Sequence, residues 1–543
     1  MKQIALGEIR IDFYDDQIAI SADGEGKFSS LMPELPLVRS AVHDDRTVFA
    51  LPGRHIKITC VRFMDGTDRR DFLVRESTEP LYQSRYYPQT FSGTLFLLDS
   101  YLTGEALIVL SEAAPYAEPK LTVSRGEASL SGCGYGAVYG YCRTCEARDL
   151  IYRYYRLGYP GEATYILSNT WGGEIRKERL CEEFMLREID RAAELGVDVV
   201  QIDADWQKGD IFEAVIRDEK GDPTPFKRLD GDFWQVDADK FPHGLRYLAD
   251  YAGARGIALG IWFAPDCRDG MKNRERDLSI LRYLYDCGIR YFKLDMVSLE
   301  TPETERRYLE FLHMLSGFGR QGDGIRLNLD ITDGNRTGYF LAKEAGTLFV
   351  ENRYTHMANY YPHNTLKNLW MLSAYFPPDK FQFEIMDCRK NAGCYPPDDP
   401  LAPANYDMDY LFASVMLANP LFWMSMQALE PQDVLRLRNI IGIYKAHRAA
   451  LHTQRITPLG DMPDGASFCG FSIGARYLLL FREWTRQDEY VYRTVLPEKA
   501  ALRVLASNAK VVLSRRTEGL SARFSRARAF AFIQIEAEET RLS

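Results

Sequence analysis

Residues 289 to 297 read IRYFKLDMV. Inside an otherwise apolar run stand Lys293 and Asp295, two apart, and side chains two apart in a strand leave the same face. A carboxylate beside an ammonium group stays ionised. Three readings compete. A structural ion pair contributes little compared with an apolar replacement. A lysine acting as an amine nucleophile toward a carbonyl, as in a Schiff-base lyase, needs a neutral amine, which the neighbouring Asp295 opposes. The third is a carboxylate kept ionised for chemistry. The same grouping recurs at the C-terminal ends of other apolar runs: Asn169 and Trp171, Asp203 and Asp205, Asp266, Asp330, Glu351 and Arg353, Asp387.

Eight such runs follow one another between about residues 163 and 450: TYILSNTW, VDVVQIDADW, IALGIWFAPD, IRYFKLDMV, IRLNLDIT, TLFVENR, FQFEIMD and PLFWMSM. Longer amphipathic stretches such as ERLCEEFMLREIDRAAELG separate them. Strand and helix in alternation mean parallel strands, and eight repeats predict a (β/α)8 barrel, whose C-terminal rim is the face that carries chemistry. Lys293 and Asp295 then both point into the mouth of that barrel. Before it, short alternating runs (EIRIDFYDDQIAI, HIKITCVRF, EALIVLSEA) predict an N-terminal β-sandwich, and after it FCGFSIGARYLLLF, EYVYRTVL and AFIQIEA predict a small C-terminal β-sandwich domain. The expected boundaries are 1–155, 156–454 and 455–543.

Composition excludes several classes. The 543 residues are 46% hydrophobic, enough for a large core, and a net charge of −9 argues against nucleic acid or an anionic membrane as partner. The eight histidines show no metal-ligand spacing, and no metal or cofactor is expected. The opening MKQIALGEIRIDFYDD has acidic residues where a leader needs an apolar stretch, and no segment stays apolar for ~18 residues, so the expected location is cytoplasmic. Ten cysteines are too few for a disulfide scaffold in so long a chain. Cys142 and Cys145 form a lone C-x-x-C, read as reduced structural thiols.

YFKLDM resembles the Y-I-K-W-D-M segment of melibiase-type α-galactosidases, retaining α-glycosidases of clan D. SNTW is similar to that family's first-strand N-T/S-W, QIDADW to its I-D-D-G-W, GDFWQVDADKFPHGL to its G-D-W…D…K-F-P-x-G-L, and GIWFAPD to its G-x-W-x-E-P-E. DGNRTGYF and IIGIYKAHRAAL resemble the family's G-G-G-R-F-D…G segment and closing helix. The matches run in one order over roughly residues 160 to 460. The resemblance implies an oligosaccharide or glycoside substrate and no cofactor, and leaves a homo-oligomer as one expectation, although this chain is shorter at the N-terminus than the larger members, which tend to be tetramers.

Retention needs two carboxyl groups ~5–5.5 Å apart. Asp295 suits the nucleophile, with Lys293 keeping it ionised and donating to sugar hydroxyls. The resemblance aligns VEN with the family's S-D-N and so gives Glu351 as the acid/base, with Asp330 and Asp387 as rivals. It gives Asp203 to sugar hydroxyls and Arg336 to a hydroxyl or an anionic substituent. Trp171, Trp206, Trp234 and Trp262 are candidate platforms for sugar faces, with core packing as the bland reading. Asp266 completes the binding set, and Tyr354, His356, Tyr360 and Tyr361 form a loop that could cap the pocket. Ala204 stands where the family has a second Asp and Arg353 where it has Thr. The pocket is therefore expected to be more positive, and a modified α-sugar, N-acetylated or anionic, is an alternative to plain α-galactoside. A carbohydrate-binding protein without turnover is the non-enzyme alternative.

Overall fold

The computed structural model describes residues 9–15, 17–22, 27–30, 40–43, 46–66, 72–82, 87–134, 136–173, 179–211, 232–318 and 324–536. The first eight residues, where a leader was sought, and Gly231 of the GDFW segment lie outside these. Strands β1 (Leu167–Asn169), β2 (Val199–Ile202), β3 (Ala258–Phe263), β4 (Tyr291–Leu294), β5 (Arg326–Asp330), β6 (Thr347–Phe349), β7 (Phe381–Ile385) and β8 (Asn419–Phe422) close into one parallel barrel. Seven lie within the expected runs, and β8 begins one residue before its run, at Asn419.

Helices α1 (Ala147–Gly158), α2 (Glu182–Leu195), α3 (Gly244–Gly253), α4 (Arg274–Asp286), α5 (Pro302–Ser316), α6 (Pro362–Leu372), α7 (Met408–Val415) and α8 (Pro431–His452) are the main helices of the described chain. Sequence explains their limits. In α2, Phe184, Met185, Ile189, Ala192 and Leu195 recur at helical spacing and are buried. It stops at Gly196, whose φ of +83° is available to glycine at no steric cost. The first turn of α5 is fixed by Pro302 and by Thr301, whose side chain accepts a hydrogen bond from the Thr304 amide.

The N-terminal region folds into a seven-stranded and a six-stranded sheet. Period-2 alternation gives the six-stranded sheet two buried faces. Phe96, Leu98, Leu107 and Val109 face the sandwich interior, while Leu95, Leu97, Ile108 and Leu110 join the core shared with the barrel. Phe63 anchors that seam, its ring 4.8 to 5.7 Å from those of Tyr339, Phe340, Tyr375 and Phe376. Residues 456–536 form a five-stranded and a three-stranded antiparallel sheet around their own apolar core. The fold is thus the expected barrel with flanking β-domains. All ten cysteines are free thiols.

Candidate active site

Lys293 extends inward from β4 and gathers three carboxylates from neighbouring strand ends. Its Nζ lies 3.2 Å from Asp203 Oδ2, 3.2 Å from Asp330 Oδ2 and 3.7 Å from Asp295 Oδ2. The rings of Phe349 and Trp423 stand 5.0 and 5.1 Å from the same ammonium. Burial alone would lower the affinity of this amine for its proton. The carboxylates, Asp203 foremost, outweigh burial and hold it charged above the ordinary lysine value.

Asp295 is placed by its own backbone. Its amide donates to Phe263 O at 3.0 Å, and the next residue, Met296, sits at φ +52° and turns the chain so that its amide donates to Asp295 Oδ1. Trp262 Nε1 donates to Oδ2 at 3.0 Å, and Arg336 lies 3.3 Å from Oδ1. Burial works against ionisation here, but Lys293, Arg336 and the two N–H donors prevail and keep the carboxyl below its ordinary value. The Asp295 side chain keeps 18% of its surface exposed, against 3% for Asp203 and 4% for Asp330. It is the open carboxylate of the cluster. Arg336 is itself fixed by the carbonyls of Thr332, Asp333 and Val297 at 3.0, 2.7 and 3.1 Å.

Asp330 has the opposite environment. Burial, with the charge of Asp295 next, pushes its carboxyl up to about 6, although Thr332 donates to Oδ1 from both its amide and its hydroxyl. Since Lys293 Nζ is 3.7 Å from one carboxylate and 3.2 Å from the other, those oxygens of Asp295 and Asp330 are at most about 7 Å apart, a bound that admits the separation retention needs. Asp203 is oriented by Asn169, which donates to Oδ2 at 2.7 Å, and by the Ala204 amide on Oδ1 at 2.9 Å.

The other expected residues divide. Trp262 touches the nucleophile candidate directly. Trp206 is fully buried and donates to Trp262 O at 2.9 Å, and Trp234 lies over both rings at 6.0 and 5.8 Å. These two back the wall and do not present a platform. Trp171 is half-buried at the opposite rim, where its Nε1 donates to the Tyr354 hydroxyl at 3.0 Å, and Tyr354 donates to Asn352 at 2.7 Å. Asp266 is closed off. Arg268 binds both its oxygens at 2.7 and 2.8 Å, with Asn273 at 2.8 Å and Arg276 at 3.3 Å. Despite burial, these donors hold it below its ordinary value.

Glu351 and Arg353 depart most from expectation. Strand β6 ends at Phe349, and the chain beyond it turns beneath α6. Glu351 accepts from Asn368 at 2.8 Å and Thr365 at 3.0 Å and pairs with Arg353 at 2.9 Å, with none of its side chain exposed. Arg353 is 2% exposed and also donates to Thr365 at 3.1 Å. The expected acid/base is thus sealed from the cleft, and the expected extra cation is neutralised by its neighbour. Asp387 is half-buried, and its Oδ1 accepts from the amides of Arg389 and Lys390. Of the loop residues, Tyr360 is buried, while His356 and Tyr361 are partly exposed. Sequence reasoning missed Glu384, buried on β7. Its signal was the Gln-x-Glu spacing in FQFEI, which repeats the Lys-x-Asp logic of β4.

Among the described residues no group of His, Cys, Asp or Glu is arranged to hold a metal ion. A cavity of about 640 Å³ opens elsewhere, between α5 and the 341–346 segment, and no residue of the Lys293 cluster lines it.

No protein-family model and no curated protein matches this sequence. Solved structures do. A singly substituted variant of the GH36 α-galactosidase AgaA from Geobacillus stearothermophilus, in complex with 1-deoxygalactonojirimycin, superposes with a TM-score of 0.63 at 14% identity, covering 96% of this chain and 79% of that one. The α-galactosidase from Lactobacillus brevis gives 0.64 at 11% identity, with 96% and 78% covered. A second GH36 enzyme of G. stearothermophilus, AgaB, gives 0.62 at 14%, with 98% and 81% covered. The chain therefore has the fold of the GH36 α-galactosidases, and its eight-stranded barrel sits between β-domains as theirs does.

Proposed function

We propose that this chain is a retaining, exo-acting α-glycosidase, with terminal α-linked galactose as its leading substrate, Asp295 as nucleophile and Asp330 as general acid/base. The observation that carries the reading is Asp295 itself: the one partly open carboxylate of the cluster, at the chemical rim of the barrel, kept ionised by Lys293, Arg336 and two N–H donors. In the first step Asp295 attacks the anomeric carbon while Asp330 gives its proton to the departing oxygen. In the second, ionised Asp330 takes a proton from water, which displaces the sugar from Asp295 with net retention. Asp330 replaces Glu351 in this role because it lies beside Asp295 and titrates near 6, a value suited to giving and taking a proton, whereas Glu351 is spent on Arg353, Thr365 and Asn368. Lys293 and Asp203 orient sugar hydroxyls from the floor. The GH36 fold supports the same class, and doubly substituted variants of AgaA have been crystallised with raffinose and with stachyose.

The test uses 5-fluoro-α-galactosyl fluoride, whose glycosyl-enzyme hydrolyses slowly, followed by peptide mapping. A stable adduct on Asp295, with aryl α-galactoside hydrolysis abolished in Asp295→Asn, is the expected result. Near-full activity in Asp295→Asn overturns the proposal. Tight binding of galactosides to the folded wild-type protein without turnover replaces it with the binding-only reading.

A further inference from the structure

Strand β7 directs Gln382 into the barrel, where Asn328 donates to it at 2.8 Å. Two residues on, Glu384 points the same way. Following the pairings round the ring, Glu384 falls in the layer that the alternate strands β1, β5 and β3 fill with Asn169, Asp330 and Trp262, one level beneath the Asp295 carboxylate. Its Oε1 accepts the Arg353 amide at 3.2 Å, and its buried Oε2 has no hydrogen-bond partner. The charged groups acting on it are Glu351 and Arg353 beyond β6 and Lys293 on β4, and the strand register puts Asp330 in the same layer. Burial, and then the charge of Glu351, raise its carboxyl well above the ordinary value.

We propose that Glu384 is a positioning residue held as the uncharged acid, which ties down the chain after β6 and leaves the Lys293 ammonium to Asp295. The inference rests on Asp295 being the nucleophile. Arg353 already has a full anionic partner in Glu351. An ionised Glu384 would be a second one, and it would draw Lys293 away from the three carboxylates it serves. Loss of this proton at alkaline pH therefore weakens the hold on Asp295, although Glu384 touches no substrate. A buried carboxyl left half-bonded is costly for stability alone, and the neutral form removes most of that cost.

The experiment compares wild type with Glu384→Gln, which keeps shape and neutrality. The readout is the rate of covalent trapping by 5-fluoro-α-galactosyl fluoride, whose leaving group needs little help from Asp330. The expected result is a variant rate within threefold of wild type at pH 6. On the alkaline side both rates stay level, because Asp295 is ionised there whether or not Lys293 is held beside it. A folded variant trapped more than tenfold more slowly at pH 6 overturns the proposal. Infrared difference spectra provide a readout independent of turnover: wild type at pH 7 shows the C=O stretch of a buried carboxylic acid, and Glu384→Gln lacks it. Absence of that band from wild type also overturns the proposal. If neither protein is trapped, the nucleophile assignment fails, and the band alone decides the state of Glu384.

Discussion

Replacing Lys293 by Met tests the electrostatic core of the site, because Met keeps most of the apolar length of the side chain and removes the ammonium with its charge and N–H donors. The ammonium stands 3.7 Å from Asp295. At an effective dielectric constant near 20 this attraction is worth ~4 kcal/mol, or ~3 pKa units. Two effects reduce the observed shift. Water reaches the partly open Asp295 carboxylate, and Arg336 remains at 3.3 Å. A rise of about 1–3 units in the Asp295 pKa is therefore expected. The sign is fixed: the wild-type carboxyl is depressed, so removing its cation moves ionisation to higher pH. Trapping by 5-fluoro-α-galactosyl fluoride, followed from about pH 4 to 9, should show an acid limb displaced upward by that amount. With the wild-type value below the ordinary 3.8, the variant's lies below about 7, so the rate at pH 5 falls by up to ~60-fold and largely recovers near pH 8. Asp330 loses the same cation and takes up a proton, which limits the damage to folding. An acid limb coincident with wild type refutes the reasoning. So does a folded variant that is dead at every pH, since Lys293 would then act on the substrate alone.

Two further predictions separate the carboxyl groups. In Asp330→Asn, kcat/KM on aryl α-galactosides with acidic phenols should survive in part and lose its alkaline limb near 6, and azide should restore turnover with a product of retained configuration. Glu351→Gln and Arg353→Ala each break a buried pair, so chemical denaturation should show a loss of ~3–5 kcal/mol. For folded Glu351→Gln, kcat/KM should stay within about tenfold of wild type and azide should have no effect; azide rescue there would return the acid/base role to Glu351. Arg353→Ala should leave the ratio of rates on neutral and anionic α-sugars unchanged.

What the sequence made legible follows from period 2. Eight β-rich runs with polar tips gave the barrel, and the Lys293–Asp295 spacing put both on one inward face because β4 runs unbroken through Lys293. The same logic carried along TLFVENR predicts Thr347, Phe349 and Glu351 all facing inward. It fails at Glu351 because β6 stops at Phe349. The cause is tertiary: the chain at Gly66 lies so close to the Val350 carbonyl that a Cβ there would stand 1.9 Å from that oxygen. No local pattern encodes an approach from a segment so distant. Trp206 and Trp234 illustrate a second limit, since the sequence shows that a ring is present but not which surface covers it. The partners of Asp266 were near at hand, as Arg268 follows two residues later, but only coordinates show both its oxygens taken.

One residue type does two jobs here because of what surrounds it, and that division can be shifted deliberately. Asp295 is partly open and held by two N–H donors and two cations, so its proton is lost early. Asp330 is closed and shares one lysine with two other carboxylates, so its proton is retained to about 6. Such a split between neighbouring carboxyls is what assigns acid and nucleophile in retaining enzymes. The Thr332 hydroxyl, donating to Asp330 Oδ1 at 2.6 Å, is the removable part of the balance, since the Thr332 amide at 2.9 Å stays whatever the side chain. A hydrogen bond to a charged group is worth ~1.5–3 kcal/mol, which corresponds to roughly 1–2 pKa units. Thr332→Val, close to isosteric, removes a bond that favours the ionised form, so the Asp330 pKa must rise. The alkaline limb of kcat/KM should then move from about 6 to about 7 or above, while the acid limb set by Asp295 stays where it was. A limb that stays in place shows that Asp330 is not the group titrating in turnover, and one that moves downward shows that the hydroxyl stabilises the protonated acid instead.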